Sequence, residues 1–141
     1  GTQKSDYQIP VDEVAVAEIK DGVQVVEINM EEDRFSPAVV VMQRGIETVW
    51  NINGVKLNDS NSTLIFPKYY AQIKMKEGEN KLFLVPDSDF DFTTADNTFY
   101  GYVKFVDNID KIDIDAIKEE VSQYVPTIQE FIDFSGLPSC H

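Results

Sequence analysis

The chain has few of the residues that most often carry chemistry. Its 141 residues include one cysteine, Cys140, and one histidine, His141, which are the last two positions. A lone cysteine excludes an internal disulfide and leaves the redox compartment undefined. A lone terminal histidine leaves no nucleophile paired with a base, and Gly78-Glu-Asn-Lys81 matches no phosphate-binding loop, so no enzymatic activity is expected. Acidic pairs are abundant, but in so acidic a chain they say nothing about acid–base catalysis. Basic residues are scarce: 12 Lys and Arg stand against 25 Asp and Glu, for a formal net charge of −13, and no basic cluster stands out. Nucleic acid and anionic membrane surfaces are not expected as partners because both would be repelled, whereas cations and basic proteins are not excluded. There is no apolar run of about 18 residues to cross a bilayer and no signal peptide.

What is present is enough for one domain. Apolar residues make up 43% of the chain, which can bury a core without disulfides or metal. Residues 14–20 and 23–30 flank Asp21-Gly22, and apolar runs joined by Asp-Gly predict a hairpin with a type I′ turn. Val14, Val16 and Ile19 are expected on one side of it, and Val26, Ile28 and Met30 on the core side. The turn of residues 31–34 leads to Phe35-Ser-Pro37, whose proline ends pairing before a strand at residues 39–42. Residues 43–45 form the next turn and 47–52 the next strand. Trp50 there reads as core and not as a ligand-stacking surface, and Met30, Met42 and Met75 read as gap-filling core. Residues 51–62 form a loop by composition, 69–75 a strand and 76–80 a turn. Residues 82–85 and 100–106, rich in β-branched and aromatic side chains, predict two further strands around a polar loop.

Beyond residue 107 the pattern becomes helical. Asp113 or Asp115 can cap a helix whose Ile114, Ile117, Val121 and Tyr124 or Val125 recur at helical spacing, and Pro126 stops it. Thr127 can cap a second, short helix with Ile128, Phe131 and Ile132 on one face, ended by Gly136 and Pro138. We expect these helices to pack on the sheet or its edge and to cover an otherwise exposed β edge, with a contact surface for a partner or for another copy of the chain as the alternative. The expected organisation is a tether at residues 1–12, a β-sandwich at 13–107 and a helical extension at 108–141. Gly1 reads as a scar of tag cleavage, with an export signal or membrane anchor expected upstream.

Three motifs invite a ligand. Asp87, Asp89 and Asp91, with Asp96 nearby, look like a calcium loop, but position six from Asp87 is Phe92 and position twelve is Thr98, where Gly and a bidentate Glu are required. Extended chain would instead align the three carboxylates on one face with Phe90 and Phe92 on the other, the pattern of a half-buried strand. These four remain weak cation candidates. Cys140 and His141, with the terminal carboxylate, could bind copper or zinc, but two adjacent residues on a chain end make a poor cage. Asn58-Asp-Ser60 and Asn61-Ser-Thr63 are formal glycosylation sequons and carry little weight.

Residues 81–107, KLFLVPDSDFDFTTADNTFYGYVKFVD, together with Phe35-Ser-Pro37, Gly45, Trp50, Phe66-Pro67 and Gly78-Glu-Asn80, resemble the cupredoxin-like domain family, over roughly residues 23–107. The resemblance implies an antiparallel Greek-key β-sandwich, here all-β with a C-terminal helical extension. In that family the loop between the last two strands carries a copper-ligating Cys, then a ligand such as His, then usually Met. Here the corresponding positions, Thr94 to Thr98, read Thr-Ala-Asp-Asn-Thr, and Ser60 stands where another ligand would lie. A type 1 copper site needs a thiolate, two imidazoles and a weak axial donor held together, an inventory this chain does not have. The resemblance therefore points to a bacterial, extracytoplasmic binding or accessory module with a degenerate copper site and no cofactor. Its expected partner is a protein, such as a membrane-associated metal-handling or exporter protein. The alternatives are a copper carrier using Cys140, His141 and carboxylates, and a calcium-dependent adhesion module.

Overall fold

Alternation of apolar and polar residues dominates the chain, and in the computed structural model, which describes residues 3–59, 61–85 and 87–128, it is answered by strands throughout. The chain passes through β1 (Gln3–Lys4), β2 (Val14–Val16), β3 (Glu18–Lys20), β4 (Val23–Met30), β5 (Phe35–Ser36), β6 (Val39–Gln43) and β7 (Glu47–Gly54). It continues through β8 (Thr63–Phe66), β9 (Ala71–Lys74), β10 (Gly78–Leu84), β11 (Phe90–Thr94), β12 (Tyr100–Val106), α1 (Ile114–Ser122) and β13 (Thr127–Ile128). A five-stranded sheet has the order β10, β7, β4, β3, with β5 on the end of β4. A six-stranded sheet has the order β2, β6, β12, β11, β8, β9.

The expected sandwich is present, but its sheets are mixed. Strand β4 runs parallel to β7, and β6 runs parallel to both β2 and β12. Strands close in sequence here often lie in different sheets, so neighbours within a sheet need not be hairpin partners. The Asp21-Gly22 turn forms as the sequence predicts, with φ of 54° and 81° and Lys20 opposite Val23. Its first arm is shorter than expected. At Ala17, 2% exposed, the N–H donates to the Val41 carbonyl at 2.9 Å, and the chain crosses from one sheet to the other. Val14 to Val16 therefore pair with β6, and only Glu18 to Lys20 pair with β4. Strand β7 also runs on to Gly54 through residues expected in a loop, because Asn51, Ile52 and Asn53 are paired on both sides.

Between the sheets the core is aromatic. Phe92 lies 4.7 Å from Phe35 and 5.0 Å from Trp50, centroid to centroid, and Phe99 is 4.8 Å from Phe35. Trp50 is fully buried, as its strand position predicts, and Met30, Met42 and Met75 are buried with it. Gly101 pairs with Phe92 across β11 and β12, and a Cβ there would lie 2.2 Å from the Phe92 ring.

The outer face of the six-stranded sheet is covered from both ends of the chain. Asp113 caps α1 by accepting from the Ala116 N–H at 3.1 Å, as predicted, and Ile117 and Val121 are buried. Tyr124 packs 4.9 Å from Tyr102, while Lys104 bridges Asp89 and Glu120 at 3.0 and 2.9 Å. The helix thus lies over a sheet face and not along an edge, because Tyr102, Lys104 and Val106 alternate with the inward Val103 and Phe105.

The stretch read as a tether is packed too. Ile9 is buried, Tyr7 lies 5.8 Å from Tyr100, and Asp12 pairs with Arg34 at 3.0 Å. The Ser5 N–H donates to the Pro126 carbonyl at 2.7 Å beside the β1 and β13 pair. That pair places Thr127 and Ile128 in extended chain, so the predicted second helix does not begin there. Its Phe131 and Ile132 lie outside the described residues.

Replacing Gly101 with alanine forces the Phe92 ring against neighbours that are themselves fully buried. Gly101→Ala is expected to cost about 1–3 kcal/mol, the range for overpacked cores. Urea unfolding of the two proteins measures it, and an unchanged midpoint would show that Phe92 has room to move.

Candidate functional site

The loop between β11 and β12 holds itself together. The Thr94 hydroxyl donates to Asp96 Oδ1 at 2.8 Å and accepts from the Thr98 N–H at 3.0 Å. The Thr98 hydroxyl donates to the same carboxylate oxygen. Asn97 takes the left-handed φ of 59° that asparagine tolerates, and its Oδ1 accepts from the Tyr100 hydroxyl at 2.9 Å. The backbone adds Asn97 N–H to the Thr94 carbonyl at 2.9 Å and Ala95 N–H to the Thr63 carbonyl at 3.1 Å. Every side-chain oxygen at Thr94 and Thr98, two of the three positions that the resemblance sets against copper ligands, is thus engaged within the loop.

Ser60, the third such position, lies outside the described residues, but its neighbour Asn61 is fully buried. Asn61 Nδ2 donates to the Glu31 and Lys56 carbonyls at 3.0 and 2.9 Å, and its Oδ1 accepts from the Asn58 N–H at 2.6 Å. Asn58 Oδ1 accepts from the Asn61 N–H in return, at 3.0 Å. The sequence showed Asn61 only as a sequon, whereas its amide anchors the loop to the end of β4. The reciprocal spacing of two Asn three residues apart was the signal available.

Three aspartates of the would-be calcium loop turn to different partners. Asp87 accepts from the Ser88 N–H at 2.5 Å and pairs with Lys68 at 3.3 Å, and these hydrogen bonds hold its carboxyl below the usual range. Asp89 accepts from the Phe105 N–H at 2.8 Å and faces Lys104. Asp91 is buried under the Tyr124 hydroxyl, which donates to Oδ2 at 2.9 Å. Asp96 belongs to the threonine loop. Phe90 and Phe92 point into the core, as half-buried strand patterning requires. Among the described residues no three His, Cys, Asp or Glu side chains gather closely enough to hold a metal ion. Cys140 and His141 lie outside the described residues.

The fit to copper can be judged from donor chemistry. Thr94, Asp96 and Thr98 present hard oxygens that are already hydrogen-bonded, whereas copper selects imidazole and soft sulfur. The loop does not fit a type 1 copper ion.

No protein-family model and no curated protein sequence matches the chain. Solved structures do. The metal-binding domain of the Cu(I)-exporting P-type ATPase CopA of Streptococcus pneumoniae, solved with Cu(I), superposes with a TM-score of 0.60 at 18% identity, covering 67% of this chain and 96% of that one. A copper binding protein in its apo form gives 0.58 at 16% identity, over 64% and 95%. A reduced mutant of amicyanin gives 0.43 at 12% identity, over 74% and 98%. The fold is a cupredoxin-like β-sandwich with a C-terminal helix.

Burial pushes the Asp91 carboxyl above the usual carboxylate range, and the Tyr124 hydroxyl only partly offsets this. A raised folded-state value makes the stabilising contribution of Asp91 fully present in acid and lost as pH rises through that value. Relative to Asp91→Asn, the native chain should therefore lose stability with rising pH across and just above the carboxylate range. Tyr124→Phe should cost about 1–3 kcal/mol near neutrality, since it strands a buried acceptor. Denaturant unfolding of the three proteins between acid and neutral pH checks both, and parallel pH profiles would refute the first.

Proposed function

We propose that this chain is an extracytoplasmic binding or accessory module of bacterial origin, built on a cupredoxin-like shell that carries no type 1 copper site. The observation that carries the reading is the loop between β11 and β12, where Thr94, Asp96 and Thr98 satisfy one another in place of soft ligands. With no nucleophile and base to pair, the module works by binding and not by catalysis. Its partner is a protein, and the likeness to the metal-binding domain of a Cu(I)-exporting ATPase supports a place beside membrane-associated metal-handling or exporter machinery. The charge of −13 disfavours nucleic acid and anionic lipid and favours a partner with basic residues.

A second reading, a copper carrier, is favoured by the superposition on two copper-binding proteins. It would use Cys140, His141 and carboxylates.

Titration with Cu(II), and with Cu(I) under reducing conditions, separates the two. The binding module is expected to develop no intense visible thiolate band and no rise in thermal midpoint, and millimolar calcium should leave the midpoint unchanged. Stoichiometric copper binding with a raised midpoint, abolished in a Cys140→Ser, His141→Ala double variant, would replace the first reading with the second. A calcium-dependent rise would return function to Asp87, Asp89, Asp91 and Asp96.

A further inference from the structure

One sheet face is covered by the chain ends, and among the described residues nothing covers the other. On the uncovered outer face of the five-stranded sheet, Val25, Val49 and Phe83 stand in register across β4, β7 and β10. Phe83 is 75% exposed and Val85, just beyond β10, 61%. Among the described residues β10 has a pairing partner on one side only, so its other backbone edge is free. Strand β9 ends the six-stranded sheet in the same way, and between these two edges runs an apolar groove of about 340 Å3. Trp50, Phe66, Tyr69, Leu82, Leu84 and Phe90 line it.

Two buried polar atoms here have no partner among the described residues: the Trp50 indole N–H, in a groove-lining residue, and Asn51 Oδ1, one position along β7 and on its outward side. A buried polar group without a partner is costly and needs an explanation. Glu47 borders the same apolar face beside Phe83 and Val85 and makes no ion pair with a described residue.

From these features we infer that the free edge of β10 and the adjoining groove receive an extended, basic and apolar peptide segment of a protein partner. The segment adds a strand to the sheet. Alternate apolar side chains enter the groove beside Leu82 and Leu84, over Trp50. Lys or Arg on the other face meets Glu47. A second copy of the chain is the weaker occupant, because two bodies of charge −13 repel. The inference rests on the binding-module reading and names the surface and partner chemistry for it.

A blocked peptide of alternating valine and lysine, about seven residues long to match a typical strand, is the probe. Titrated into the 15N-labelled chain, it should shift the Trp50 indole resonance and the amides of residues 78–85 saturably. Its affinity, measured by calorimetry, should fall about tenfold or more in a Phe83→Lys, Val85→Lys variant, as for loss of an interface anchor. That variant changes only exposed side chains, and an unchanged thermal midpoint confirms that it is folded. Valine and glutamate in alternation should bind at least as poorly.

The inference is overturned if neither the indole nor the β10 amides move at millimolar peptide, or if the variant binds as well as the native chain. It is also overturned if light scattering finds a peptide-free dimer that the variant disperses. Absent shifts together with an empty copper titration would remove this surface alone. Stoichiometric copper binding would remove the binding-module reading, and with it the assignment of a protein partner.

Discussion

The two sheets are held at their separation by a contact with no slack: the Phe92 ring packed against the backbone of Gly101 and wedged among Phe35, Trp50 and Phe66. Close packing of this kind fixes geometry because every ring is another ring's wall. Phe92 comes from β11 and Gly101 from β12, so the contact also sets the register of the two strands that carry the loop of Thr94 and Thr98. Trp50 reaches the same rings from β7 and ties in the five-stranded sheet. The shape of the loop end and the position of the β10 edge both follow from this one aromatic cluster.

The sandwich is finished unequally. On the six-stranded sheet, Asp91, Tyr102 and Lys104 project outward and would be a poor surface to leave bare, since Asp91 is costly to bury without a donor. Tyr124 supplies that donor, and Lys104 links β11 to α1 through Asp89 and Glu120. Tyr7 and Ile9 close the same face from the other terminus, and the β1 and β13 pair joins the two closing segments. On the five-stranded sheet no described segment performs this service for Val25, Val49 and Phe83. Coverage of one face and exposure of the other is a difference in the chain's own use of its surfaces.

Local chemistry was legible in the sequence and long-range placement was not. The Asp21-Gly22 turn was readable because positive φ is a demand on individual residues, and Trp50, Phe90 and Phe92 were readable as core because size and period suffice. The crossing at Ala17 was hidden, since residues 14–20 look like one uninterrupted strand and nothing local tells which sheet each half joins. Tyr7 and Ile9 were passed over as a tether because a short polar stretch looks solvated until the face it covers exists. Asp91 read as one of a row of carboxylates, and its separate fate depends on Tyr124, 33 residues away. The silence of the loop at residues 94–98 was visible from residue types alone, but the hydrogen bonds that make it self-sufficient were not.

A loop that satisfies its own hydrogen bonds has little left to offer a ligand, and this bears on where binding is to be sought. At the loop end of the sandwich, Thr94, Asp96, Asn97 and Asn61 are committed to holding the backbone in place. At the edge between β9 and β10 the reverse holds. Among the described residues its outer backbone groups are unpaired, apolar side chains face water, and the Trp50 N–H has no acceptor. Native proteins usually blunt such edges with charge, proline or a covering segment because open ones recruit other chains. Here Glu79 and Lys81 occupy the outward positions in the first half of β10, but Phe83 and Val85 occupy those at its end. A loop whose polar groups are spent on its own backbone, beside a strand edge that no described segment pairs, turns the search for recognition toward the strand.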